Sequence, residues 1–138
     1  MAALSAKRVT KSRRLGHKVK YLMKASTTCY QGGIVVLDSS GLAIPAAAAS
    51  GNKQAVGIAV ASVTSAASGS YYIEVMEGEF LLTADAITQA HTGDMMFCND
   101  DQTFDDTQGS NEPALGKLIE FVSTTSGWVR VGPMTAIA

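Results

Sequence analysis

Histidine and cysteine are scarce, with two of each in 138 residues. Cys29 and Cys98 have no CxxC spacing and no neighbouring histidine pair, so neither a zinc motif nor a dithiol redox motif is present. Both are expected to be free, buried thiols. Long apolar runs are missing as well. The longest, residues 42–49 and 55–61, fall well short of the roughly 18 to 20 residues that span a bilayer, so no membrane partner is expected. A secretory signal needs an unbroken apolar core behind a short basic region, and Lys7, Arg8, Lys11, Arg13 and Arg14 interrupt every candidate. The chain is therefore expected to start near Met1 and to stay in a cytoplasm.

The chemical motifs are equally sparse. Neither a GxSxG elbow nor a GxGxxG fingerprint occurs. Gly116-Lys117 approaches a phosphate loop, but Asn111 and Leu118 stand where that loop needs glycine and a hydroxyl residue. His91 and Asp94 lie close in sequence without a serine or cysteine motif to partner them, and read as a helix-ending turn. Asp100, Asp101, Asp105 and Asp106 crowd one short segment. Hard cations favour such oxygens, yet the glycine and terminal glutamate of an EF-hand loop are missing, and an exposed acidic loop is expected. No catalytic residue, metal site or cofactor is assigned.

Acids, finally, are missing from the first 24 residues, which hold eight of the eleven Lys and Arg; the remainder holds three basic residues and all twelve acids. A net charge of -1 thus conceals +8 on the leader and -9 on the body. Such segregation implies an extended basic arm, residues 1–20, that leaves the body and meets an anionic surface: nucleic acid, lipid headgroups or an acidic patch on another subunit. No aromatic residue precedes Tyr21, so the arm has no platform for base stacking.

What is present beyond the arm is a β pattern. Short β-branched and apolar segments alternate with Gly, Ser, Thr and Asn-Asp clusters, and a composition 46% apolar provides for a core without staples. Strands are expected over 17–23, 33–37, 56–63, 71–76, 79–82, 94–98, 115–122 and 128–131. Tyr71, Ile73 and Val75 alternate with Tyr72, Glu74 and Met76, as in a half-buried strand. Residues 38–41 read as a tight turn, residues 123–127 as a hairpin connection, and residues 45–51 as a loose loop. One short helix is expected over 83–91, capped by Thr83 or Asp85 and ended by Gly93. Phe80, Phe97, Phe121 and Trp128 fall in expected strands and are assigned to the core. The expected fold is all-β, a single compact β-barrel or β-sandwich domain over 21–138 with one short helix and the extended basic N-terminal arm.

Several segments in this order carry a resemblance: Ala55-Val56-Gly57-Ile58-Ala59; Tyr72 through Phe80; Thr92-Gly93-Asp94-Met95-Met96-Phe97; Leu115-Gly116-Lys117-Leu118; and Val129-Arg130-Val131. Together, over roughly residues 18–133, they resemble the small head-associated proteins of tailed bacteriophages, and the chain looks like a capsid decoration, or cement, protein. The resemblance implies a compact β-barrel or β-sandwich on the outside of an expanded shell, commonly a homotrimer at local three-fold positions, that locks neighbouring capsomers. It implies a virion location, the major capsid protein as partner, and no catalytic residue. On this basis Lys7, Arg8, Lys11, Arg13, Arg14, Lys18 and Lys20 are the expected capsid-binding residues, bonded to shell carboxylates. Removal of residues 1–16 is expected to leave the body folded and to abolish shell binding. The alternative is a nucleic-acid-coating or genome-packaging shell protein using the same arm. A small enzyme or ligand-binding barrel ranks third, resting on His91, Asp94 and the acidic segment alone.

Overall fold

The computed structural model describes residues 3–13, 16–67 and 69–132. Strands are numbered in chain order. The larger sheet holds β1 (Ser12–Arg13), β9 (Gly78–Ala84), β10 (Met95–Cys98), β11 (Thr103–Asp105), β12 (Ala114–Ser123) and β13 (Ser126–Val131), in the order β1-β9-β11-β10-β12-β13. Because β13 also pairs with β9, strands β9, β11, β10, β12 and β13 form a closed five-stranded barrel. All its pairings are antiparallel except that of β11 with β9.

The second sheet runs β2 (Lys18–Leu22), β8 (Tyr72–Met76), β6 (Ala55–Ala59), β4 (Ile34–Leu37) and β5 (Ala43–Pro45), antiparallel throughout. A parallel bridge between Met23 and Ala43 joins its first strand to its last, bending it around a small core of its own. A ribbon of β3 (Thr28–Cys29) and β7 (Val63–Thr64) contributes Cys29 and Val63 to that core.

Side-chain alternation decides which residues meet. On β9, Phe80, Leu82 and Ala84 point inward; Phe80 lies opposite Val129, and Leu82 opposite Gly127. Gly127 has to be small, since a Cβ there would meet Leu118 Cδ1 at 2.6 Å. The outward positions Glu79 and Arg130 face each other and form an ion pair of 3.0 Å. The main core joins these barrel residues to Ile34, Val36 and Ile58 of the second sheet, so the two sheets share one interior. On β8, Ile73 and Val75 are fully buried while Tyr72 is exposed, as the alternation predicts, but Tyr71 precedes the strand and is exposed rather than sharing the buried face.

Three expectations require correction. The short helix over 83–91 does not form: Thr83 and Ala84 complete β9, and only Gln89–His91 makes a single 3-10 turn. Non-local carbonyls hold the backbone of this segment in place, and one of them takes the Ile87 amide that a helix would have bonded to Thr83 O. Ala84 N donates to Thr125 O at 2.9 Å, Asp85 N to Phe104 O at 2.8 Å and Ile87 N to Thr124 O at 3.0 Å. Second, the acidic segment is no exposed loop. It contains β11, and Asp101, Thr103 and Phe104 are buried. Asp100 Oδ1 accepts from Gln102 N, Thr103 N and Thr103 Oγ1, at 2.9, 2.9 and 2.7 Å, which folds a tight turn and frees the next residues to enter the barrel. Third, of the four aromatics assigned to the core only Phe80 is buried; Phe121 is half-buried and packs against the main core, Phe97 and Trp128 are half-buried on outward strand positions, and Phe104 fills the interior.

Candidate interaction surface

The leader is strapped to the body rather than detached from it. Leu4 N donates to Asp101 Oδ1 at 2.7 Å, Arg8 N to Gln31 O at 2.8 Å, and Leu81 N to Lys11 O at 2.9 Å. Ser12 and Arg13 then pair with Phe80 and Glu79 as β1. Along residues 7–11 exposure alternates: Lys7, Val9 and Lys11 face water, while Arg8 and Thr10 turn toward the body. Thr10 Oγ1 donates to Gly32 O at 2.8 Å, and Arg8 Nε donates to the same carbonyl at 3.0 Å. So close an approach needs glycine at position 32, where φ is +85° and a Cβ would sit 2.2 Å from Arg8 O.

Arg8 is therefore withdrawn from the set of outward basic residues. Its Nη1 donates to Gln102 O at 3.1 Å, and its Nη2 is buried without a hydrogen-bond partner, as is Asp100 Oδ2. Burial lowers the Arg8 pKa from its ordinary value, and the charges of Asp101 and Asp100 oppose that shift. Burial likewise raises the Asp101 carboxyl, against the opposing effects of the Leu4 N–H and Arg8. Of the other expected capsid-binding residues, Lys7, Lys11, Lys18 and Lys20 are exposed and form no ion pair with a described residue. Lys18 and Lys20 belong to β2, paired with Met76 and Glu74, so the expected boundary after residue 20 cuts a strand. Arg14 and the side chain of Arg13 lie outside the described residues.

The native state holds the Asp101 proton more tightly than the unfolded chain does. Stability from this group is present below the ordinary Asp value of about 3.9 and is lost as pH rises through the raised native value. The stability of wild type minus that of Asp101→Asn should accordingly fall between acid and neutral pH. Urea unfolding at the two pH values measures it, and a difference that grows with pH contradicts the assignment.

Between the strap and the two sheets lies a hollow of about 210 Å³. Arg8, Thr10 and Ser12 form one side; Ile58, Val60, Met76 and Phe80 form the other. A smaller hollow of about 130 Å³, lined by Lys7 and Gln31, lies on the strap as well, and Val9 borders both.

His91 is paired, but with Asp106 rather than Asp94: Nε2 donates to Asp106 Oδ2 at 2.9 Å, while Nδ1 accepts from Thr88 N at 3.0 Å. With both ring nitrogens engaged, the imidazole pins the 3-10 turn to the segment after β11 and has no lone pair left for base catalysis. His91→Ala should cost about 1 kcal/mol in chemical denaturation. A neutral effect would mean that the pin is not formed. Both thiols are free and buried, and burial pushes Cys29 up to about 12 and raises Cys98 further, which leaves neither nucleophilic at neutral pH. Among the described residues no three His, Cys, Asp or Glu side chains converge as a metal site, and no helix is long and apolar enough to cross a membrane.

Sequence reasoning found the exposed lysines and missed Gln31, Gly32 and Asp101, which hold the strap. The alternation of residues 7–11 was the available signal, masked because basic side chains occupy both faces. Comparison of the chain with protein-family models, curated proteins and solved structures gives no match to any of them.

Proposed function

We propose that the chain is a structural virion protein that binds the outer surface of a tailed-phage capsid and cements neighbouring capsomers. Its partner in this reading is the major capsid protein, and its working form a homotrimer. The observation that carries the reading is the placement of Lys7, Lys11, Lys18 and Lys20, which extend into water from backbone bonded to a closed β body. A pull on these lysines is transmitted to the two sheets rather than absorbed by a loose tail. The segmental charge supports the same reading, since a basic strap on an acidic body directs one part of the molecule toward an anionic lattice.

Individually these contacts are weak, on the order of 0 to 1 kcal/mol for an exposed ion pair. A useful grip needs several engaged at once, which symmetric repetition on a shell supplies. Such binding is screened by salt.

Replacing Lys7, Lys11, Lys18 and Lys20 together with glutamine tests the reading by co-sedimentation with tailed-phage shells that lack the protein. Affinity should fall by about tenfold or more, as expected from losing a few weak contacts, and wild-type occupancy should decline as salt rises. Unchanged occupancy by the variant removes the lysines from the interface. Selective retention of the protein on DNA, with no shell binding, favours the genome-packaging alternative. The glutamine variant is a cleaner probe than deletion of residues 1–16, because deletion also strips Arg8, Thr10 and β1 from the fold.

A further inference from the structure

The hollow beneath the strap has a chemistry that the lysines alone do not explain. Its inner side is apolar, formed by Ile58, Val60, Met76 and Phe80; Arg8, Thr10 and Gln31 line it on the strap side, and no acidic residue lines it. Val9, 95% exposed, extends that apolar surface onto the rim. Lys7 and Lys11 flank Val9 on the outward side of the strap, while the carboxylates near Arg8 lie behind it in the body. The volume, about 210 Å³, suits one large side chain and falls below the range of about 300 to 1,000 Å³ typical of small-molecule sites. An apolar inner wall beside a cationic strap, with Arg8 in the lining, Lys7 on the adjoining hollow and Lys11 next along the strap's outward side, has the anatomy of a hot spot, in which one buried anchor supplies affinity and the surrounding charge supplies selection.

We propose that this hollow takes one large apolar side chain of an extended acidic peptide segment, whose flanking carboxylates pair with Lys7 and Lys11. The inference deepens the decoration reading and rests on it for the source of the segment, a surface loop or terminus of the shell subunit. Charge complementarity selects the occupant. A second copy meeting it strap to strap would bring its own basic residues against Lys7 and Lys11, at a cost in like-charge repulsion; a second copy docked through its acidic body would show in light scattering as self-association of the free protein that Ser12→Trp abolishes, a result that overturns the proposal. A nucleic acid would supply negative charge, but the one aromatic ring in the lining, Phe80, is only 4% exposed and offers no stacking platform.

The test uses the full chain and a blocked pentapeptide of sequence glutamate-aspartate-phenylalanine-aspartate-glutamate, titrated at low ionic strength while methyl NMR signals are followed. Saturable shifts are expected at Val9, Ile58, Val60 and Met76. Alanine in place of the peptide's phenylalanine should weaken binding by about tenfold or more, as should Lys7→Glu with Lys11→Glu in the protein. Ser12→Trp, at an exposed position on the lining, should block the hollow; retained signal dispersion confirms that each variant is folded. Absence of saturable shifts overturns the proposal, as does equal binding of the alanine peptide, which would reduce the contact to charge alone. Saturable binding of an oligothymidylate with the same shifts, and tighter than the peptide, overturns it in favour of nucleic acid. No shell takes part in this assay, so its failure leaves the decoration reading to its own sedimentation test.

Discussion

Gly116→Ala is expected to lower the free energy of unfolding by about 3 kcal/mol or more. Gly116 occupies β12 at φ +154°, opposite Met96 on one side and Val131 on the other. A Cβ at that position would fall 1.8 Å from Arg130 O and 2.9 Å from Arg130 C. Both atoms are backbone, so no rotamer change relieves the overlap, and β12 and β13 have to separate. Those two strands are consecutive members of the closed ring, and a separation there opens the barrel. Urea unfolding measures the effect as a lowered midpoint. A loss below about 1 kcal/mol would show that the strands do not approach as described.

Phe104→Ala is the second large effect, expected at about 3 to 5 kcal/mol. Phe104 is fully buried in the main core, opposite Cys98 on β10 and Ala84 on β9. Alanine leaves a cavity where β11 enters the ring, and pairing with β10 on one side and β9 on the other holds that strand against collapse inward. Phe104→Leu keeps most of the volume and should cost roughly half as much or less. Against a typical total of about 5 to 15 kcal/mol, the alanine variant is near the limit of folding. Equal, small losses for alanine and leucine would place Phe104 outside the core.

Phe104 also marks where the sequence stopped being readable. It stands among Asp100, Asp101, Asp105 and Asp106, and composition alone makes such a segment a solvated loop. Nothing local indicates that Asp100 folds the turn or that Thr103 and Phe104 pair with Thr83 and Ala84, some 20 residues earlier. The missing helix has the same origin. The alanines, a capping Thr83 and a terminal glycine favour a helix over 83–91, but Thr83 and Ala84 are drawn into β9, and carbonyls of β11 and of the turn between β12 and β13 fix the Asp85 and Ile87 amides. Where a segment meets its neighbour in sequence, the pattern was sufficient. The hairpin joining β12 to β13, the turn in which Gly41 N donates to Asp38 O at 3.0 Å, and the alternation of β8 were all legible.

The interaction surface divides along the same line. Exposure of Lys7, Lys11, Lys18 and Lys20 follows from charge, because an unpaired ammonium stays in water. The inward turn of Arg8 depends on Gln31, Gly32 and Gln102, which no spacing in the leader reveals. The hollow beneath the strap belongs to both sheets at once and has no linear signature.

The central claim, that this is a clamp on the outside of a shell, is tested most directly by electron cryomicroscopy of tailed-phage particles assembled with and without the protein. The account predicts added density on the outer surface at local three-fold positions, present only when the protein is, with the strap side of the barrel turned toward the shell. Identical particles in the two preparations, or density confined to the interior beside the genome, would contradict it.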